Sequence, residues 1–243
     1  RGVPVVTAEE SGSTLAGASR FCSEKFVYPS PVKRPQDFLR VLLEECEKRQ
    51  IEVGLPMTEI TTHLVLAERD QFRHVHIPFA SFAKFEALTN KWNLFKLAIE
   101  LGVPVPKTLF IENSADLQRA AREMDFPVVL KPFRSRIFED GSWISTGVTY
   151  AEDPGELLER VKASFVLSRY PFLLQEYIQG QGCGVFTLYN EGKPVTFFSH
   201  KRLRENPPSG GVSVLSESVA PDPSAVREAR KILDAVQWHG VAM

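Results

Sequence analysis

The stretch Phe126-Pro127-Val128-Val129-Leu130-Lys131-Pro132 is a run of strand-forming apolar residues that closes on a cation. A lysine ending such a run must carry its ammonium to a sheet edge or into a cleft, because burying it unpaired is costly. It therefore calls for an anion or, in the plainer alternative, snorkels into solvent. Downstream, Leu173-Leu174-Gln175-Glu176-Tyr177-Ile178-Gln179-Gly180 is a second apolar strand that turns polar before a glycine. A strand end with backbone donors and acceptors and an amide side chain beside apolar residues suits an adenine ring. A strand entering an ordinary turn reads the same way.

Working outward, Thr108 to Ile111 reads as a strand and Ser114 as the N-cap of a helix with Leu117, Ala120, Ala121 and Met124 inward. A helix opens at Asp153-Pro154-Gly155-Glu156, with Asp153 as N-cap and proline in the first turn. A hairpin is predicted from Val185 to His200 around Asn190-Glu191-Gly192-Lys193, and a last helix from Asp222-Pro223 to about Gln237. Towards the N-terminus, Thr89 to Leu101 is a predicted helix stopped by Gly102. Val103-Pro104-Val105-Pro106 then forces extended chain. Earlier still, Val3 to Val6, a Ser/Gly-rich loop (Ser11 to Ser19), a helix Gln36 to Arg49, a buried strand Ile51 to Pro56 and a strand His74 to Pro78 imply an α/β layer with a parallel sheet.

The chain has 243 residues, 43% hydrophobic and 24% charged, ample for a core without disulfide or metal staples. A net charge of -1 removes the usual electrostatic case for a nucleic-acid partner. No apolar run approaches the roughly 18 residues of a membrane span, and no signal peptide is recognised. Three scattered cysteines and five scattered histidines fit a reducing cytoplasm and no zinc site. The chain begins at Arg1 and stops at Met243 inside an apolar run, and is read as a fragment.

Two further segments could carry chemistry. The loop Phe133 to Gly147 holds Arg134, Arg136, Gly141, Gly147, Ser142, Ser145 and Thr146, a composition able to fold over phosphates, although many surface loops share it. It lacks the GxxxxGK[ST] pattern, which excludes a P-loop, and no GxGxxG follows the first strand. In Ser199-His200-Lys201-Arg202-Leu203-Arg204-Glu205-Asn206-Pro207-Pro208-Ser209-Gly210-Gly211, strict alternation places His200, Arg202 and Arg204 on one face. Guanidinium groups there suit a carboxylate or phosphate, and a solvated charged strand is the alternative.

The order of Asn90-Lys91 opening a helix, Val103-Pro104-Val105-Pro106-Lys107-Thr108, then FPVVLKP, then LLQEYIQG resembles the ATP-grasp superfamily. The branch is that of biotin carboxylase and the carbamoyl phosphate synthetase large chain, and the HKRLRENPPSGG segment is most similar to predicted ATP-dependent carboligases. The resemblance covers nearly the whole chain. It implies an ATP-grasp fold, α/β with an α+β ATP-grasp part, behind a Rossmann-like N-terminal domain, truncated at both ends. The implied segments are an incomplete N-terminal domain (1–78), a linking helical segment (79–105), a small subdomain with a lid loop (106–176) and an incomplete C-terminal subdomain (177–243).

Carried over residue by residue, the resemblance makes Lys91 and Lys131 phosphate ligands, with Asn90 standing where the family has Asp. Ser142, Ser145, Thr146 and Gly147 fall in the mobile lid. Gln175 meets the adenine amino group, and Glu176, Tyr177 and Ile178 hold the base edge. Arg202 and Arg204 are the implied catalytic residues, orienting a carboxylate or stabilising its intermediate. Where the family often holds the ribose with an acid or histidine, this chain has Gly182 and Cys183, with Gln181 as a substitute. The lid is longer than usual and carries Trp143 and Ile144, which implies an apolar contact when closed. The resemblance implies ATP and Mg2+ as cofactors, with the magnesium ligands expected beyond Met243, so this fragment is expected to bind nucleotide weakly and not to turn over. The implied reaction converts a carboxylate to an acylphosphate, which an amine or similar nucleophile attacks. A bicarbonate-using carboxylase or carbamoyl-phosphate enzyme and a non-catalytic ATP-binding module are the alternatives. The expected partners are ATP and a small carboxylate in the cytoplasm, without nucleic acid or membrane, and a homodimer is compatible.

Overall fold

A computed structural model describes residues 2–206 and 211–243. In chain order it contains β1 (Val6–Glu9), β2 (Glu24–Val27), α1 (Pro35–Lys48), α2 (Glu59–Ala67), α3 (Phe82–Thr89) and α4 (Lys91–Glu100). There follow β3 (Thr108–Ile111), α5 (Ser114–Glu123), β4 (Val128–Pro132), β5 (Arg136–Glu139), β6 (Ser142–Ser145) and β7 (Thr149–Ala151). The rest comprises α6 (Pro154–Ala163), α7 (Phe165–Arg169), β8 (Phe172–Glu176), β9 (Cys183–Asn190), β10 (Lys193–Asn206), β11 (Val212–Val219), α8 (Pro223–Ala235) and β12 (Gly240–Ala242). The chain divides into two compact units: residues up to Pro78 together with Arg136–Ser145, and Phe79–Ser135 together with Thr146–Met243.

In the first unit β1 and β2 pair in parallel, and α1 buries Phe38, Leu39 and Cys46. Tyr28 packs edge-on against Phe38, with ring centroids 4.9 Å apart. The predicted buried strand Ile51 to Pro56 does not form. Only a parallel bridge between Val53 and His76 exists, and Val53 is half exposed. The prolines at 56 and 78 close both arms, since each removes a ladder donor. Thr58 is the N-cap of α2, in a reciprocal box with Thr61 at 3.1 Å in each direction.

In the second unit, β3, β8, β4 and β7 form an antiparallel sheet in that order. One face of it packs on α5, α6 and α7: Ile111, Val128, Leu130, Phe172 and Leu174 are buried with Leu117, Ala120, Met124, Leu157, Val161 and Leu167. The N-cap of α5 is Asn113, not Ser114, its side chain accepting from the N–H groups of Ala115 and Asp116. The predicted helix 89–101 starts at Lys91, because Asn90 caps it with bonds from Trp92 and Asn93 and thereby ends α3, which the sequence reading missed.

A second antiparallel sheet runs β11-β10-β9-β12. Its β9–β10 turn places Glu191 at φ 46° and Gly192 at φ 80°, the two left-handed positions that a two-residue hairpin needs. Tyr189, Leu233 and Trp238 form the core on one face, and the Tyr189 hydroxyl donates to Asp234 Oδ1 at 2.8 Å. No helix among the described residues is long and apolar enough to cross a membrane.

Candidate functional site

The two-residue period of β4 divides its side chains cleanly. Val128 and Leu130 are fully buried in the helix-covered core, so Val129 and Lys131 lie on the opposite face. Strand pairing then gathers the other residues of that face. Val129 stands opposite Gln175, and Gln175 opposite Thr108, while Val129 also faces Tyr150 across β7. Two residues along β4, Lys131 stands opposite Leu173, which in turn faces Phe110. At the Phe110 end the face is covered by α4: the Trp92 and Phe110 rings lie 4.8 Å apart, with the Lys96 ammonium 5.0 Å from the Trp92 centroid.

Two polar groups on this face are incompletely matched. Gln175 is only 1% exposed; its Nε2 donates to Thr108 Oγ1 at 2.9 Å, and its Oε1 is buried with no partner among the described residues. Lys131 is half-buried with no hydrogen-bond or ion-pair partner for its ammonium among the described residues, and burial pushes its pKa below that of an ordinary lysine. An orphan acceptor and an orphan cation on one face are the complement of a ligand carrying a donor and a negative charge.

The α3–α4 corner adds a second cation. The Lys91 N–H donates to Phe133 O at 2.7 Å, and Lys91 Nζ donates to Ser135 Oγ at 2.7 Å, so Lys91 is held to the segment that follows Lys131. Arg134, grouped with the phosphate cations on sequence, is committed elsewhere: it bonds Glu86 Oε1 at 2.9 Å and Glu86 O at 3.1 Å. Thr146 is committed too, its Oγ1 donating to Arg134 O at 2.5 Å.

The other sequence candidates separate. Glu176 donates its N–H to Lys107 O and accepts the Lys107 N–H on Oε1, so a base edge would meet its carbonyl rather than its amide. Tyr177 packs against Tyr150, and Ile178 is exposed. Ser142 and Ser145 lie on β6, paired with β5 in a two-stranded hairpin that turns at Gly141, and Gly147 follows it. The Trp143 ring lies 5.0 Å from His63 and 4.8 Å from Phe138. The shared face expected for Arg202 and Arg204 is overturned. Arg202 stands opposite Ser216 but Arg204 opposite Leu215, a register shift that breaks strict alternation. Arg202 pairs with Glu205 at 3.2 Å, and Arg204 is exposed. A Cβ at Gly182 would come within 2.8 Å of both Arg202 Cδ and Glu205 Oε1, so a side chain there would have to displace those two flexible side chains, and Gln181 Nε2 bonds Arg202 O. Pro207, Pro208, Ser209 and Gly210 lie outside the described residues. Thr108, Ser135 and Glu86 were missed; the only sequence signal was a hydroxyl beside a motif for the first two.

No protein-family model and no curated protein matches the chain. Solved structures do match it. An N5-carboxyaminoimidazole ribonucleotide synthetase solved with ADP superposes with a TM-score of 0.67 at 15% identity, over 98% of this chain and 58% of that one. The biotin carboxylase domain of Hydrogenobacter thermophilus 2-oxoglutarate carboxylase, solved with MgADP, ADP and bicarbonate, gives 0.65 at 14% identity, over 99% and 54%. An L-amino acid ligase from Bacillus licheniformis gives 0.65 at 16%, over 97% and 54%. The chain thus has the ATP-grasp fold, and it spans a little over half the length of the structures it matches.

Proposed function

We propose that the Lys131–Gln175 face binds ATP, and that the whole protein uses it to activate a carboxylate for ligation. The observation that carries this reading is the pair of unmatched groups on one sheet face: the partnerless, half-buried Lys131 ammonium and the buried Gln175 Oε1. The adenine amino group offers a donor to Gln175 Oε1, and the phosphates offer an anion to the Lys131 ammonium. The same fold in enzymes solved with ADP and MgADP supports the choice of ligand class.

In this reading a carboxylate oxygen attacks the γ-phosphorus, the bond to the β–γ bridging oxygen breaks, and ADP leaves. An amine then attacks the acyl carbon, inorganic phosphate departs, and the amine loses a proton to form the amide. Lys131 and Lys91 offset the phosphate charge, which is most of what a protein supplies to phosphoryl transfer. Arg202 orients the carboxylate, while its ion pair with Glu205 fixes the guanidinium. The described residues contain no group of three or more His, Cys, Asp or Glu side chains able to hold a metal, so no step is routed through magnesium on this chain.

The test is calorimetric titration with ATP, ADP and GTP, followed by a screen of the full-length protein for ADP formation against carboxylates, bicarbonate and amino acids. Saturable 1:1 binding of ATP and ADP with weaker GTP is expected. Absence of any adenine-nucleotide binding would overturn the assignment.

A further inference from the structure

Three consecutive residues after β4, Phe133, Arg134 and Ser135, all bond the corner between α3 and α4. Phe133 accepts from the Lys91 N–H, Ser135 accepts from Lys91 Nζ, and Arg134 grips Glu86 by its carboxylate and its backbone carbonyl. Both partners of the Arg134–Glu86 pair are largely buried, their side chains 16% and 29% exposed. The grip uses two guanidinium nitrogens on two acceptors, a fork that an ammonium does not reproduce. Thr146 closes the arrangement from the other side, donating to Arg134 O from Oγ1 and to Ser135 O from its N–H at 3.1 Å.

The order of groups along β4 gives this clamp a consequence. Val129 is level with Gln175, Lys131 comes two residues later, and Phe133 and Ser135, which hold Lys91, come two and four residues beyond that. At about 3.3 Å per residue, the step from Val129 to Lys131 within β4 is close to 7 Å, and Phe133 and Ser135 follow past the strand's end at Pro132. A nucleotide with its base at Gln175 therefore meets Lys131 first and Lys91 farther along its phosphate chain.

We propose that Arg134 is a positioning residue: by clamping Glu86 it sets the place of the Lys91 ammonium relative to Lys131, and so sets how strongly the site prefers a nucleoside triphosphate to a diphosphate. This rests on the reading of the Lys131–Gln175 face as a nucleotide site. Arg134 makes no contact with the nucleotide in this scheme and acts through Lys91.

The experiment measures dissociation constants for ATP, ADP and AMP by calorimetry in wild type, Arg134→Met, Glu86→Gln, Lys91→Met and the Arg134→Met/Lys91→Met double variant. Loss of the clamp should weaken ATP by about tenfold while ADP and AMP stay within about twofold. The double variant should bind no worse than Lys91→Met alone, because a residue acting through Lys91 has nothing left to position. Arg134→Lys should rescue poorly, and Glu86→Gln, which retains an oxygen acceptor, should fall between. Equal weakening of all three nucleotides, or additive effects of the two substitutions, overturns the proposal. Should Arg134→Met fail to fold, judged by its thermal melt, Glu86→Gln carries the same comparison. A wild type that binds no adenine nucleotide overturns the nucleotide reading itself, a result distinct from an unchanged ATP-to-ADP ratio.

Discussion

Replacing Lys131 by Met should move affinity and stability in opposite directions. The Met side chain keeps an unbranched apolar stem and removes a half-buried ammonium that has no partner among the described residues. A hydrogen bond to a charged group is worth about 1.5–3 kcal/mol, so losing the phosphate contact should weaken ATP binding by about 10- to 100-fold. In the free protein the same change removes a desolvated charge, so the melting temperature should hold or rise. The pH dependence follows from the depressed pKa. Between the folded value and the unfolded value of about 10.4, the unfolded chain binds more protons, so wild-type stability gains with rising pH. The penalty is fully present below the folded value, where both states are charged, and is relieved as pH climbs through it. The stability advantage of Lys131→Met should therefore be constant near neutrality and shrink towards pH 10. Calorimetry and thermal melts across pH 7–10 supply both readouts. An unchanged ATP affinity refutes the nucleotide assignment, and a clear drop in melting temperature at pH 7 refutes the account of an unpaired buried charge.

Gln175→Leu removes the orphan acceptor and the donor to Thr108, and should weaken ATP by about 3- to 10-fold while reducing discrimination against GTP; parallel titrations of the two nucleotides check this. Tyr189→Phe loses the 2.8 Å bond to Asp234 and should lower the melting temperature by about 2–4 °C. Burial, with Asp234 adding to it, pushes Tyr189 up to about 12, so its contribution should persist to about pH 10 and fade above that as the unfolded tyrosine ionises first. His63→Ala removes one member of the His63–Phe138–Trp143 cluster and should speed tryptic cleavage at Arg136 about 2- to 10-fold, read by gel time course; an unchanged rate would show that the cluster does not hold the hairpin.

What was legible in the sequence depended on the reach of the interaction. Lys131 and Gln175 could be picked out because strand period and apolar flanks are local signals, and Asp153, Pro154 and the Glu191-Gly192 turn are local for the same reason. That Lys131 and Gln175 share a face could not be read without the register between β4 and β8, strands separated by about forty residues of chain. The bond from Arg134 to Glu86 could not be read, because Glu86 lies 48 residues upstream on a helix that no pattern had announced. The shared face expected for Arg202 and Arg204 failed by a different route: strict alternation was assumed across a register shift that only pairing with β11 reveals. The strand expected at Ile51 to Pro56 shows the opposite failure, in which a strong local signal did not become a ladder because prolines close both arms of the bridge.

The division of labour among the cations follows from their chemistry. A guanidinium presents a rigid fork that is best satisfied by two acceptors fixed in advance, which Glu86 provides through its carboxylate and carbonyl. An ammonium on a flexible stem presents a point charge that can wait for an anion of variable position, and Lys131 has that freedom, while Lys91 Nζ is held to Ser135 Oγ. In the proposed site Arg134 therefore serves the scaffold and Lys131 the ligand. A chain that needed Arg134 to bind phosphate would have to break a largely buried ion pair first, which is strongly unfavourable once one partner is left uncompensated. That cost makes Arg134 a poor phosphate ligand and a good anchor, and it is why the tests above read Lys131 by affinity for ATP and Arg134 by the ratio of ATP to ADP.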